Sequence, residues 1–209
     1  MCIRDSTNGE LCGLIGIHVD DLLVTGKGTT FDSRMKELES KLPFGNRKYG
    51  TFTYCGLRHI QHADSSITVD QEEYCEQLQP MANKHIKDTE VHSPADHTNF
   101  KSLVGGLAWP VINTRPDAAF DVSWLASKGE NATGADIRFG NKLQRKLKAE
   151  KVQLRYTKTC KSIYDWTIVT FHDAGWATRP SLHSQAVAAV FLADRSVLEG
   201  KIGKATLIG

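Results

Sequence analysis

Leu14-Ile15-Gly16-Ile17-His18-Val19-Asp20-Asp21-Leu22-Leu23-Val24-Thr25-Gly26 sets two apolar, β-forming runs on either side of two adjacent aspartates. Each run has the length of one strand, and the gap between them suits a tight hairpin turn. Such turns favour Gly or Asn where φ is positive, so Asp-Asp is not a pair that turn geometry selects. Two like charges on a mostly apolar hairpin also disfavour each other's ionisation and resist burial unless a cation neutralises them. A local rule broken at one point marks a candidate functional position. Divalent-metal phosphoryl or nucleotidyl transfer is the chemistry that uses paired carboxylates on a rigid turn. Taken alone, the pair is equally readable as an acidic surface turn.

Composition narrows the classes. The chain has 209 residues and is 40% hydrophobic, enough to bury a core. No apolar run approaches the ~20 residues that span a bilayer, and no secretory signal is visible. An intracellular protein (cytoplasm or nucleus), neither secreted nor membrane-bound, is expected. Cys2, Cys12, Cys55, Cys75 and Cys160 include no CxxC pair, which argues for a reducing compartment and against disulfides. His59 and His62, and His92 and His97, have no cysteine at finger-like spacing, so no zinc site is expected. Net charge is only +2 but uneven. Arg138, Lys142, Arg145, Lys146, Lys148, Lys151, Arg155, Lys158 and Lys161 are opposed within their segment only by Glu150. That asymmetry fits a polyanion partner or a solvated helix face.

Around the hairpin, Met1–Glu10 shows no periodicity and reads as a non-native or disordered leader, with Met1–Ser6 as a cloning or sequencing scar. Phe31, Met35, Leu38 and Leu42 predict a helix stopped by Pro43 and Gly45. Thr51–Ile60 reads as one strand, with Ser66–Val69 as its partner across an Ala63–Ser65 turn. Gln71–Met81 reads as a helix with Tyr74 and Leu78 inward. The polar stretch from Lys84 to Thr98 reads as a linker. Helices are then predicted from Ser102 (Leu103, Leu107, Val111 on one face), from Pro116 (Ala118, Val122, Leu125) and over Ile137–Val152. In the last, Phe139, Leu143 and Leu147 face inward, with Arg138, Lys142 and Arg145 on another face. Asp117 is placed against the positive end of its helix dipole. Strands return over Trp166–His172 and Ala186–Leu192. Trp109, Trp124 and Trp176 read as core residues. Gly26-Lys27-Gly28 reads as the hairpin's exit, and Ser181 and Ser184 carry no nucleophile signature. This order predicts an α+β chain of more than one domain.

Five stretches together resemble one family. His18-Val19-Asp20-Asp21 is similar to the YVDD motif of reverse transcriptases. Cys55-Gly56-Leu57-Arg58-His59-Ile60 resembles the "LGI-x-I" strand of copia-type retrotransposon polymerases, and Ile67-Thr68-Val69-Asp70-Gln71-Glu72-Glu73-Tyr74 their "I-x-L-x-Q-x-x-Y" segment. Ser102-Leu103-Val104-Gly105-Gly106-Leu107-Ala108-Trp109, then Thr114-Arg115-Pro116-Asp117-Ala118-Ala119-Phe120-Asp121-Val122-Ser123, is similar to "S-L-V-G-x-L-x-Y … T-R-P-D-I-x-x-A-V-S". His172-Asp173-Ala174-Gly175-Trp176-Ala177 resembles the "S-D-A-D-W-A" that opens the family's RNase H domain. The likeness runs from about Leu11 to Leu192. In departures, His18 stands where the family has Tyr, and Trp109-Pro110 replaces a Tyr-led run, so that helix is expected to kink or end there. The basic Asn141–Lys148 run matches the family's "K-R-I-L-R-Y-L-K" only loosely.

The resemblance implies a polymerase palm hairpin and sheet with helices over 11–83, a linker and helical thumb or connection over 84–160, and the first strands of a truncated RNase H-like domain over 161–209. It implies RNA-directed DNA polymerase activity by two-metal nucleotidyl transfer, using Mg²⁺ or Mn²⁺, with Asp20 and Asp21 as metal ligands and catalytic residues. Asp173 would be a catalytic metal ligand of the RNase H part, and Arg138, Lys142, Arg145, Lys146 and Lys148 would track the duplex backbone. Partners would be an RNA template, a DNA primer, deoxynucleotides and the other polyprotein domains. The family's third palm aspartate would lie N-terminal to Leu11, and its later RNase H carboxylates beyond Gly209. This stretch alone is therefore expected to be inert. A non-catalytic nucleic-acid-binding remnant, or a relic without function, is the alternative.

Overall fold

The computed structural model describes residues 2–7, 10–82, 87–91, 93–160, 162–176 and 184–209. It is a mixed α+β chain with antiparallel sheets, divided into two compact units, Met1–His59 and Ile60–Gly209.

In the first unit, β2 (Glu10–His18) and β3 (Asp21–Gly26) form the expected hairpin, with β1 (Cys2–Thr7) on the other side of β2. β1 lies within the stretch read as a non-native or disordered leader, of which residues 2–7 are in a strand. Its backbone pairs from Cys2↔Gly16 to Thr7↔Glu10, and an edge strand asks little of its side chains beyond that ladder. α1 (Thr29–Lys41) follows from Gly28, which holds a positive φ of 90°. Strand pairing sets Gly13 opposite Gly26, and the Phe31 ring of α1 lies where a Cβ at either glycine would stand. The two missing side chains make the socket that docks the helix on this face of the hairpin.

Thr51–Ile60 is a hairpin rather than one strand. β4 (Thr51–Tyr54) and β5 (Leu57–Gln61) are joined by Cys55 and Gly56, both at positive φ (51° and 72°), the signature of a two-residue I′ turn.

In the second unit, the His62 amide donates to the Ser66 carbonyl (2.8 Å) and leads into β6 (Ile67–Asp70). β7 (Leu154–Tyr156), absent from the sequence reading, pairs antiparallel with β6. The helical core follows α2 (Glu72–Gln77), which is shorter than predicted, with Cys75 buried and Leu78 and Met81 packing from the extended segment after it. α3 (Pro94–Asn113) begins eight residues before Ser102, because Ser93 caps it: its Oγ accepts from the Asp96 amide at 3.2 Å, with Pro94 in the first turn. Of the predicted linker, 84–86 and His92 lie outside the described residues.

α3 neither ends nor breaks at Pro110. The proline removes the N–H that would meet the Gly106 carbonyl, and the Tyr74 hydroxyl donates to that carbonyl instead, at 3.1 Å. α4 (Ala119–Ala126) buries Val122 and Leu125 behind a 3₁₀ turn at Pro116–Ala118. α5 (Gly134–Ala149) opens with a Thr133–Asp136 capping box and buries Ile137, Leu143 and Leu147.

β8 (Trp166–Gly175), β9 (Gln185–Asp194) and β10 (Ala205–Leu207) form a three-stranded sheet with β9 in the centre. Trp109 and Trp176 are not core residues: they are 42% and 91% exposed, on the outward side of α3 and just past the end of β8. Trp124 is half-buried, with the Lys128 ammonium 4.4 Å from its ring centre. Among the described residues no helix is long and apolar enough to cross a membrane.

Candidate carboxylate turn and basic helix

His18 pairs with Asp21, so the turn consists of Val19 and Asp20. The sequence reading set it one residue later. Val19 sits at φ 52° and is 88% exposed. A β-branched residue in that region is an outlier, because its Cβ crowds the backbone. Only the first turn position has positive φ among the non-glycine residues here, the pattern that glycine normally fills in a II′ turn. Strain of this kind persists only where the surroundings enforce it, and the six-pair ladder of β2 with β3, from Gly13↔Gly26 to His18↔Asp21, does so here.

Asp20 projects from the turn, whereas Asp21 opens β3; both are exposed. Water solvates the charges, and the burial conflict expected on a mostly apolar hairpin does not arise. Period-two alternation puts Asp21, His18, Gly16 and Leu23 on the face opposite Phe31. Tyr54 covers that face. Its hydroxyl is 3.7 Å from the position of a Gly16 Cβ, and its ring meets His18 edge-on at 6.4 Å. His59 continues the row, edge-on to Tyr54 at 6.3 Å and stacked on Phe52 at 5.3 Å. Removal from water raises the Tyr54 phenol above its ordinary range; the Cys55 thiol and then the Asp21 carboxylate add to the shift. Tyr54 was not singled out from sequence. The usable signal was its place at the end of an alternating strand, just before a Cys-Gly turn.

Two adjacent exposed carboxylates supply hard oxygen ligands suited to Mg²⁺, which completes its octahedron with water and phosphate oxygens. Among the described residues no group of three or more His, Cys, Asp and Glu side chains converges as a ready-made cage. Asp20 and Asp21 are brought together by the turn. Asp173 belongs to the second unit, on β8 opposite Val187, exposed, with its Oδ1 accepting from the Ala174 amide at 2.8 Å.

The basic residues of α5 divide into two sets. Arg138 pairs with Asp88, and Lys146 lies 3.9 Å from Asp117. Lys142, Arg145 and Lys148 are exposed, spaced by three residues along one face, and form no ion pair among the described residues. Outside the helix, Lys151 meets Glu72 (3.6 Å) and Glu76 (3.8 Å), and Arg155 meets Asp64 (2.9 Å). The Ser66 hydroxyl and amide, with Arg155 beside them, hold the Asp64 carboxyl down at about 2. Much of the basic run is thus neutralised by carboxylates distant in sequence, and Lys161, Ala177 and Ser181 lie outside the described residues.

Arg115 is structural. It is 2% exposed; Nε and Nη2 grip both oxygens of Asp117 (2.9 Å each), and Nη1 donates to the carbonyls of Leu147 (3.1 Å) and Glu150 (2.9 Å). Asp117, in the first turn at Pro116–Ala118, is also the other half of this fork. Its carboxyl is lowered by the hydrogen bond from Arg115. No protein-family model matches the chain, and neither curated proteins nor solved structures contain a significant match to it.

Proposed function

We propose that this chain is a part of a copia-type reverse transcriptase: later palm (11–83), helical thumb or connection (84–160) and opening strands of an RNase H-like domain (161–209). Its reaction in the parent protein is template-directed DNA synthesis from RNA. The observation that carries the reading is the turn itself, with two exposed carboxylates at a strained, strand-enforced hairpin tip. The ordered sequence motifs supply the rest. Asp20 and Asp21 would hold the divalent ions, which supply activation of the primer hydroxyl and neutralisation of the leaving pyrophosphate. Tyr54 buttresses the hairpin face that bears Asp21 and His18, fixing where the carboxylate points. Lys142, Arg145 and Lys148 contact duplex phosphates.

The metal role is tested on the chain by Mn²⁺ titration followed by NMR. Selective broadening of the Val19–Leu22 amide signals, lost in Asp20→Asn/Asp21→Asn, is expected; broadening spread evenly over all surface carboxylates removes the role. The reaction is tested by primer extension on an RNA template after expression together with the in-frame upstream sequence of the native transcript. Incorporation abolished by Asp20→Asn is expected. A second reading, a non-catalytic nucleic-acid-binding remnant, draws on Lys142, Arg145 and Lys148 of α5, which form no ion pair among the described residues. It predicts salt-sensitive binding of an RNA–DNA duplex with no incorporation.

A further inference from the structure

Gln71, Cys75, Thr114 and Arg115 line a small cavity of about 10 Å³ where α2, the junction of α3 with α4, and the C-terminal end of α5 meet. All four residues are buried. Towards solvent, Lys151 spans the cavity's rim, meeting Glu72 at 3.6 Å and Glu76 at 3.8 Å. One polar group of the lining is unmatched. Gln71 is 3% exposed, and its Oε1 accepts from the Thr114 hydroxyl at 3.0 Å, but its Nε2 meets no partner among the described residues. A buried amide donor left unmet is costly. Turning the amide over only moves the need: Nε2 would then donate to Thr114, and Oε1 would be the atom left over.

We propose that this cavity is a binding site for a single water molecule, which takes up the open polar atom of Gln71 and joins α2 to the α3–α4 junction. The proposal is independent of the metal and polymerase reading. Size, charge and hydrogen-bonding chemistry each select this ligand. A water needs roughly 10–15 Å³ of such space, and a polyatomic anion or an organic group needs far more. The charged side chains of the lining balance, with Glu72, Glu76 and Glu150 set against Arg115, Lys148 and Lys151, so no net charge draws in an ion of either sign. An apolar guest would leave Nε2 unmet. Water accepts from Nε2 and has two protons of its own to place. The lining offers acceptors for them: Thr114 Oγ1, whose own proton goes to Gln71, and the Glu72 and Glu150 carboxylates. Buried waters are held by two to four such partners. With the amide turned over, the same water donates to Oε1, so a molecule that both donates and accepts serves either arrangement.

Two measurements on the full chain test it, with water itself as the probe. In water–protein NOE spectra of the ¹⁵N-labelled wild type, the Gln71 side-chain amide protons are expected to show cross-peaks to water, with the sign given by a long-lived internal molecule. Oxygen-17 relaxation dispersion counts such molecules and is blind to the exchange of hydroxyl and thiol protons. It is expected to lose one long-lived water in Gln71→Met, whose side chain has similar length and no donor, with the far-UV circular dichroism spectrum unchanged. The wild-type spectra decide the matter even if that variant fails to fold. Absence of the Gln71 cross-peaks in the wild type, or the same number of long-lived waters in folded Gln71→Met as in the wild type, overturns the proposal.

Discussion

The helical core of the second unit and the carboxylate turn of the first treat their polar groups in opposite ways. In the core, Arg115, Asn141 and Gln144 each bridge elements, although the Nε2 of buried Gln71 meets no partner among the described residues. Arg115 closes on Asp117 and two helix-end carbonyls. Asn141 exchanges hydrogen bonds with both backbone groups of Met81 (2.9 and 2.8 Å), and Gln144 donates to the Leu78 carbonyl at 2.7 Å. At the turn, backbone strain is tolerated and two carboxylates face water. The difference separates residues that hold a fold from residues available for chemistry: the first are satisfied within the chain, the second are held in place but left open.

The contrast is most severely tested at Arg115. Arg115→Ala leaves Asp117 with only Lys146, 3.9 Å away, and frees two carbonyls at the end of α5, and should cost about 3 kcal/mol in urea unfolding. Arg115→Lys should recover little, since an ammonium cannot reproduce the two-pronged grip. The same pair sets an acid limb. Asp117 has a lowered folded-state pKa, so its stabilisation is fully present above the ordinary aspartate value of about 3.9 and is lost as pH falls through the lower folded value. Asp117→Asn should lower stability at neutral pH and flatten the loss below about pH 4. An acid limb as steep in Asp117→Asn as in wild type would show that other carboxylates carry it.

How much of this was legible is uneven for physical reasons. The β2–β3 hairpin, α1 and the inward stripes of α4 and α5 were readable because burial imposes a period on sequence. The turn was misplaced by one residue because Val19 occupies a conformation that its side chain disfavours, so propensity pointed to the next pair. Thr51–Ile60 looked like one strand because the Cys55-Gly56 turn lacks the Asn or Asp that usually marks positive φ. The start of α3 was missed although Ser93-Pro94 and Asp96 carry a capping signal, since the polar stretch before it resembled a linker. Asn141 and Gln144 hid within a run dominated by Lys and Arg. Hydrogen bonding to Met81 and Leu78, some 60 residues earlier, leaves no local pattern.

Smaller effects are expected at Tyr74 and at Val19. Tyr74→Phe strands the Gly106 carbonyl and should cost about 1 kcal/mol, and close to nothing when combined with Pro110→Ala, which restores the helical N–H. Additive costs in that double-mutant cycle would show that Tyr74 does not compensate for the proline. At the turn the sign reverses. Val19→Gly should stabilise the first unit by about 1 kcal/mol, because an 88% exposed side chain gives up little burial and the positive φ becomes permissible. If the strain serves to aim the carboxylates, the same variant should weaken Mn²⁺ broadening at Asp20 and Asp21.

The smallest change in stability is expected where the two kinds of residue share one helix. Lys142, Arg145 and Lys148 reach no carboxylate among the described residues, whereas Arg138 is paired with Asp88. Replacing the first three together by Ala should leave stability within about 0.5 kcal/mol, since exposed side chains outside any network contribute little to folding. Arg138→Ala removes a surface pair and should also stay below about 1 kcal/mol. Binding separates them. For an RNA–DNA duplex, the triple variant should reduce the slope of log affinity against log salt by up to about two to three units, and Arg138→Ala by less than one. Equal slopes for the two variants would mean that charges already neutralised within the fold serve as well as free ones, and the distinction drawn between the core and the turn would not extend to α5.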